Sequence, residues 1–216
     1  MIGMFAVHIA DGILAPIWLN AGLAVMVFML LIGCWHLTEE KITRTGVFTA
    51  VLFIASLIHP PIPAAKVHLL LNGLAGILLG RQVGLAIPIA LILQALLFSH
   101  GGLYSIGVNC TTIGVPGLIV AMLYAILRRT LGLNQRWKRY LIGGGLGGLG
   151  VILTLALYYL VLRFGAIEGE DLQALANIAF VLHIPVLIIE VIISALLVDF
   201  LYKIKPELLG VKRTGL

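Results

Sequence analysis

Long apolar stretches alternate along the chain with short polar ones. Seven apolar segments can be marked, at about residues 18–36, 47–58, 69–80, 83–99, 111–128, 140–162 and 177–202. A helix needs roughly 17–25 such residues to cross a bilayer. The second and third segments fall short of this length, so they either extend into 43–46 and 62–67 or form a re-entrant pair.

The composition agrees with a membrane location. The chain has 216 residues, of which 61% are hydrophobic and 11% are charged, whereas soluble domains carry about 25% charged residues. The mean hydropathy is +1.14. We therefore predict an all-α polytopic membrane protein, a bundle of about seven transmembrane helices that forms one transmembrane domain over residues 1–216.

The basic residues predict an orientation, because Lys and Arg collect on the cytoplasmic side of membrane proteins. With the N-terminus outside, most of them lie on the inner side, namely Lys41, Arg44, Arg81, Arg128, Arg129, Arg136, Lys138, Arg139, Lys203, Lys205, Lys212 and Arg213. Only Lys66 and Arg163 fall outside, and the loop after Arg163 is otherwise acidic. We therefore expect an outer N-terminus and a cytoplasmic C-terminus.

Several histidines then fall at the outer face. His8, His59, His68 and His100 come from three separate outer segments, and His8 lies in residues 1–17, which precede the first helix. Imidazole is a good ligand for nickel, copper, cobalt and zinc. Each histidine taken alone is also explained by an interfacial position or a helix cap, but the set favours a metal site at this face.

A histidine in the second position of a chain is a special ligand. Its imidazole, its deprotonated amide and the free amine of the first residue form fused chelate rings with a metal ion. One further imidazole then completes a planar set of four nitrogens around the metal. Such sets are characteristic of Ni(II) and Cu(II). His8 would anchor this set and His68 is the best candidate for the fourth ligand, although as the eighth residue His8 adjoins no free amine. The candidates for supporting the ligands by hydrogen bonding are Asp11, Asn72, His100 and Asn109; His100, followed by two glycines, is as readily a helix cap.

The last apolar segment carries two polar residues that membranes disfavour. His183 and Glu190 are seven positions apart, two turns along one helical face, with Pro185 between them. An intramembrane carboxylate is costly and is either functional or paired within the bundle. Gln94 is a candidate partner for Glu190. The alternative function is a metal-independent carrier or channel in which Glu190 and His183 relay an ion or proton.

The sequence holds no motif of an ATPase, a zinc metalloprotease or an α/β-hydrolase, because GxxxxGK[ST], HExxH and GxSxG are missing. We therefore expect a chain that is not an enzyme. The glycine run 143–148 contains two small-xxx-small spacings, which predict close helix packing.

Motifs in one order over nearly the whole chain resemble those of the CbiM/NikM family, the substrate-binding membrane subunits of energy-coupling-factor transporters for cobalt and nickel. They are His8-Ile9-Ala10-Asp11-Gly12-Ile13-Leu14, Val67-His68-Leu69-Leu70-Leu71-Asn72-Gly73-Leu74-Ala75-Gly76, Gln94-Ala95-Leu96-Leu97-Phe98-Ser99-His100-Gly101-Gly102-Leu103, Gly107-Val108-Asn109, His183-Ile184-Pro185 with Glu190, and Lys205-Pro206-Glu207-Leu208-Leu209.

The resemblance implies seven helices in a prokaryotic cell membrane, with Co(II) or Ni(II) as transported substrate and no organic cofactor. It implies His8 and His68 as the imidazole ligands, completed by the N-terminal amine and the amide of the first histidine. The implied partners are a transmembrane coupling subunit, two cytoplasmic ATPases and often a small accessory membrane protein, with no nucleic acid. Planar nitrogen coordination favours nickel, whereas the stretch from Leu69 to Gly73 is nearer the cobalt members.

The chain departs from the family pattern at its start. Residues 1–6 precede the pair Val7-His8, where the family has Met directly before the histidine. Valine codons of the GTG type can initiate translation and are then read as Met. We therefore expect translation to begin at Val7, which would place a free amine beside His8.

Overall fold

The computed structural model describes residues 7–58, 67–167 and 172–211, and within these ranges the fold is built from helices. The α-helices are α1 Pro16–Cys34, α2 Glu39–Ala55, α3 Asn72–Leu79, α4 Val83–Phe98, α5 Ile106–Leu131, α6 Arg136–Gly165, α7 Gln173–Leu182 and α8 Ile184–Ile204. Two 3₁₀ turns, Gly80–Gln82 and Pro206–Leu209, follow α3 and α8. The prediction of an all-α fold is confirmed for these ranges.

Five helical stretches in the described ranges are long and apolar enough to cross a bilayer, which makes the chain a multi-pass membrane protein. They are Pro16–Cys34, Asn72–Phe98, Ile106–Leu131, Arg136–Gly165 and Ile184–Ile204. Helix α2, with 17 residues, is slightly shorter. By this measure the described ranges contain five spans rather than about seven, because α2 is too short to count and the third and fourth predicted segments form one stretch, Asn72–Phe98.

The third predicted segment is a half-span rather than a full one. Residues 67–71 are not helical, and α3 has only 8 residues, which corresponds to about 12 Å. Gly80 then turns the chain with φ +60°, a value that favours glycine. Helix α4 leads back from this turn toward His100.

The last predicted segment is divided at His183, where α7 ends and α8 begins. Pro185 is the second residue of α8 and has no N–H, which is harmless in the first turn of a helix but disruptive inside one. A new helix therefore starts here. The predicted segment 177–202 is thus two helices, and the break lies beside Pro185, the proline between His183 and Glu190.

Helices α6 and α8 pack closely along the glycine run, as predicted. A Cβ atom at Gly147 would lie 2.3 Å from Ser194 Oγ, and one at Gly143 would lie 2.9 Å from the Ser194 carbonyl oxygen. Larger residues at these positions would push α8 away from α6. At one end of this pair, Arg139 Nε donates to Asp199 Oδ1 over 2.7 Å.

The bundle has two distinct ends. The first contains residues 7–15, the turn after α4 and the end of α6, joined where the Ala15 N–H donates to the Gly165 carbonyl over 2.8 Å. At the second end, Arg44 of α2 donates to the carbonyls of Leu78 and Leu208. Among the Lys and Arg residues that the structure describes, Arg163 alone lies at the first end.

Candidate metal-binding site

Two of the histidines singled out by the sequence meet at the first end of the bundle. His8 Nε2 lies 2.9 Å from His68 Nε2, and the ring centroids are 5.0 Å apart with an angle of 25° between the planes. His8 comes from the segment before α1, and His68 comes from the non-helical segment before α3. The fold thus joins residues 60 positions apart in one pair.

His100 brings a third imidazole to the same place. Its ring centroid is 6.1 Å from that of His8 and 6.2 Å from that of His68, and the three planes are nearly parallel. Ser99, just before it, ends α4 in the left-handed conformation with φ +52°. His100 therefore combines both roles that the sequence suggested, a turn at a helix end and a neighbour of the ligand pair.

The spacing of the His8 and His68 nitrogens suits one metal ion. Metal–imidazole bonds are about 2.0 Å long, so two ligands at right angles have nitrogens about 2.8 Å apart. The observed 2.9 Å matches this value, and in the metal-free protein it is the length of a hydrogen bond between the two rings. No group of three or more His, Cys, Asp or Glu side chains within the described residues has the spacing of a metal site.

The environment of His8 keeps its imidazole in the form that binds metals. Burial lowers the pKa of His8 well below its usual 6.5, and the neighbouring imidazoles of His68 and His100 lower it further. A metal ion requires the neutral imidazole. At neutral pH, therefore, a metal would displace few protons from this residue.

Helix α5 holds the backbone next to His8. The Ile9 N–H donates to Asn109 Oδ1 over 2.7 Å, and Asn109 Nδ2 donates back to the Ile9 carbonyl over 2.9 Å. The Ser105 hydroxyl also donates to that carbonyl over 2.7 Å. Asn109 thus holds the backbone of the residue that follows His8. Ser105 was missed, and its only signal was its position just before an apolar run.

Asp11 also anchors the segment that carries His8, at a position closer to α1. Its Oδ1 accepts the Ser105 N–H over 2.8 Å and lies 3.0 Å from the Ser105 hydroxyl, whose single proton is shared between Asp11 Oδ1 and the Ile9 carbonyl. Burial alone would raise the pKa of Asp11, but the backbone N–H groups from Leu103 to Ser105 lower it below its usual value. Gly102 lies against this carboxylate, and a Cβ atom there would be 1.8 Å from Asp11 Oδ1. Asp11 therefore acts as a structural anchor.

Glu190 of α8 holds the backbone that carries His68. Its Oε1 accepts the N–H groups of Leu70 and, over 3.0 Å, Leu71. Residues 67–71 are buried and not helical, so their N–H groups need partners from elsewhere in the protein. Glu190 is paired within the bundle, as one reading of the sequence proposed, but the suggested partner Gln94 was wrong.

Two further candidate residues, Asn72 and His183, form hydrogen bonds within the helix bundle. Asn72 begins α3 and donates to the Ile113 carbonyl over 2.9 Å and to Thr154 Oγ1 over 2.8 Å, which ties α3 to α5 and α6. His183 is buried, with Nδ1 2.7 Å from the Ala179 carbonyl oxygen. His59 and residues 1–6 lie outside the described residues.

Comparison with known proteins identifies the family. Residues 8–208 match the sequence model of CbiM, described as the cobalt uptake substrate-specific transmembrane region. The chain belongs to the CbiM family. This confirms the resemblance drawn from the motifs, and the matched region contains His8, His68, His100 and Glu190.

Three named transport proteins are similar to this chain over most of its length. A putative metal transport protein of Haemophilus influenzae is 36% identical, with 94% of this chain and 97% of the relative covered. The cobalt transport protein CbiM of Clostridium tetani is 28% identical, covering 93% and 86%. The fused nickel transport protein NikMN of Rhodobacter capsulatus is also 28% identical, covering 95% of this chain and 65% of the relative.

Solved structures share the fold of this CbiM family member. A crystal structure of a transition metal transporter superposes with a TM-score of 0.70 at 24% identity, covering 91% of this chain and 93% of the other. A truncated transition metal transporter gives a TM-score of 0.69 at 22% identity, covering 93% and 98%. The arrangement of helices around the histidines is therefore a known membrane fold.

Proposed function

We propose that this chain is the capture subunit of an ATP-driven importer of the energy-coupling-factor type for Co(II) or Ni(II). The observation that carries the proposal is the 2.9 Å separation of His8 Nε2 and His68 Nε2, which suits two ligands of one ion. The names of the cobalt and nickel relatives support these two metals.

In this proposal the metal binds at the outer face. The basic residues gather at the end of the bundle opposite His8, and the positive-inside rule then puts that end in the cytoplasm. The partners are a transmembrane coupling subunit and two cytoplasmic ATPases, often with a small accessory membrane protein. ATP hydrolysis in those partners would reorient this subunit and release the ion inside.

The remaining ligands would be the amide of His8 and a terminal amine directly before it. We propose that translation begins at Val7, so that the amine exists in the mature protein. Asn109 and Ser105 hold the next residue, Ile9, by both of its backbone groups, which would keep the chelating nitrogens in place. Intact-mass analysis of native protein tests this step, and a mass that includes residues 1–6 would contradict it.

A calorimetric titration of purified protein with Ni(II) and Co(II) tests the site. We expect His68→Ala to abolish high-affinity binding, because only the ligands near His8 would remain. His36→Ala is the matched control, since His36 is exposed and follows α1 at the opposite end of the bundle. Near-normal affinity in a folded His68→Ala protein would remove His68 from the site. Competition between the two ions in the same titration identifies the preferred metal.

The second candidate function is the metal-independent carrier or channel. Two buried atoms favour it, Glu190 Oε2 and His183 Nε2, because neither has a hydrogen-bond partner among the described residues. Against it, Glu190 Oε1 and His183 Nδ1 are both engaged with backbone groups. Transport that persists in a His8→Ala, His68→Ala double variant would favour this alternative.

A further inference from the structure

An open cavity with several charged residues in its lining lies at the end of the bundle opposite the histidines. Its volume is about 250 Å³, and it is lined by the start of α2, the end of α3, the second half of α5 and the 3₁₀ turn after α8. Because the metal ligands belong to the other end, this cavity has no part in holding the metal.

The charges around the cavity are mainly positive. Lys41, Arg44 and Arg128 line it, together with the single carboxylate of Glu207. Lys41 Nζ donates to the His36 carbonyl over 3.1 Å, and the two guanidinium groups also donate to carbonyls, which are neutral. All ion pairs found in the described part of the chain involve Asp199 instead. The excess of cations disfavours a metal ion and favours an anion.

Three hydrogen-bond donors on the same wall are unused. Thr45 Oγ1, Gln82 Nε2 and Arg128 Nε are buried, and none has a hydrogen-bond partner within the described ranges. Thr45 and Gln82 are only 3% and 5% exposed. Buried polar atoms are nearly always paired, because an unpaired one forfeits its hydration without compensation. Three unpaired donors around one cavity indicate a ligand rich in acceptors.

We propose that this cavity binds a phosphate group. A phosphate offers several acceptor oxygens and a negative charge, which together suit the three free donors and the three cations. The phosphate could belong to an anionic lipid headgroup, since basic pockets between membrane helices bind such headgroups, or to a soluble phosphate compound. Both sources present the same chemistry to Thr45, Gln82 and Arg128.

The test uses the full chain in nanodiscs of phosphatidylcholine alone or mixed with phosphatidylglycerol, and thermal unfolding as the measurement. Inorganic phosphate is titrated separately into the phosphatidylcholine nanodiscs, with sodium chloride at matched ionic strength as the reference. If phosphatidylglycerol stabilises the protein and inorganic phosphate does not, the lipid is the source of the phosphate group. Stabilisation by inorganic phosphate identifies a soluble ligand, and both results support the site.

The variants Thr45→Val and Gln82→Leu remove the free donors and keep the side-chain size. Without the anion they should unfold no earlier than the unsubstituted protein, because the deleted atoms have no partner to lose. With the anion, each should weaken the stabilising interaction about tenfold, as expected for one hydrogen bond to a charged group. Arg128→Lys keeps the charge but removes Nε and the Nη1 bond to the Gly210 carbonyl, so its response to the anion is measured against its own unfolding temperature without the anion.

Gln94→Leu is the matched control, because Gln94 is a buried glutamine of α4 that does not line this cavity. It should leave the response to the anion unchanged. The proposal is overturned if neither phosphatidylglycerol nor phosphate raises the unfolding temperature. It is also overturned if Thr45→Val, Gln82→Leu and Arg128→Lys respond to the anion as fully as the unsubstituted protein.

Discussion

The most informative single substitution is at Glu190. In Glu190→Ala the N–H groups of Leu70 and Leu71 lose their common acceptor. Both groups are buried in the bundle, where water does not replace the carboxylate. His68 belongs to the same short segment, so the metal ligand would lose its support together with the backbone.

The expected magnitude follows from those two donors. A buried donor left unpaired costs about 1–3 kcal/mol, so Glu190→Ala should destabilise the fold by about 2–6 kcal/mol. For a protein of this size, each kcal/mol lowers the unfolding temperature by about 2–4 °C, so we expect a fall of at least about 4 °C. Loss of a group that orients a ligand typically weakens metal binding by about 10–100-fold, and we expect the same here.

Glu190→Gln separates an anchoring role from an ion relay. The amide keeps a carbonyl oxygen that accepts both N–H groups but cannot take up or release a proton. We therefore expect near-normal unfolding temperature and nickel affinity in Glu190→Gln, and losses of both in Glu190→Ala. Differential scanning fluorimetry and isothermal titration calorimetry on the two purified variants provide the measurements.

Two results would refute this reasoning. If Glu190→Ala unfolds and binds nickel like the unsubstituted protein, the carboxylate does not hold residues 67–71. If Glu190→Gln folds normally and binds the metal but transport in cells is lost, the titratable proton matters and the relay interpretation gains support.

Three further outcomes test the geometry around His8. Gly102→Ala should weaken nickel binding about 10–100-fold, because its Cβ would overlap Asp11 Oδ1 and displace the N-terminal segment; calorimetry that shows unchanged affinity would contradict the placement of Asp11. Asn109→Ala should cause a similar loss by removing the acceptor of the Ile9 N–H and one of the two donors to the Ile9 carbonyl, whereas an unaltered affinity would mean that Asn109 is dispensable. The pKa of His8 is lowered by burial and then by the neighbouring imidazoles, so the folded state resists its protonation. Stability of the metal-free protein should therefore be complete above pH ~6.5 and fall on acidification; His8→Gln should flatten this dependence in thermal melts, and an equally steep fall in that variant would assign it to another group.

The sequence predicted the parts of the fold that depend on neighbouring residues. The glycine run of α6 indicated its close contact with α8, because small residues at fixed spacing are needed for such contact wherever it occurs. The pairing of His8 with His68 was also predicted, through the motifs of a known family. The first prediction rests on a pattern that is complete within the run 143–148, and the second on motifs spread over nearly the whole chain.

The interruption before α3 was not predicted, for a physical reason. The stretch from Leu69 to Leu71 has the composition of a membrane helix, and hydropathy alone does not distinguish a helix from a buried non-helical segment. What allows the non-helical form is an acceptor on Glu190, more than a hundred positions away. The role of His100 was likewise left open, since only the folded chain shows its ring parallel to the ligand pair.

The three imidazoles stand on separate supports, and this has a consequence for how metal preference evolves. The segment of His8 is tied to α5, that of His68 to α8, and His100 ends α4. The distances between the nitrogens therefore depend on how three helices pack along their whole length. Substitutions in lipid-facing or interhelical positions can shift these distances by tenths of an ångström while every ligand stays the same. The ion that the proposed site prefers would thus depend on residues far from the histidines.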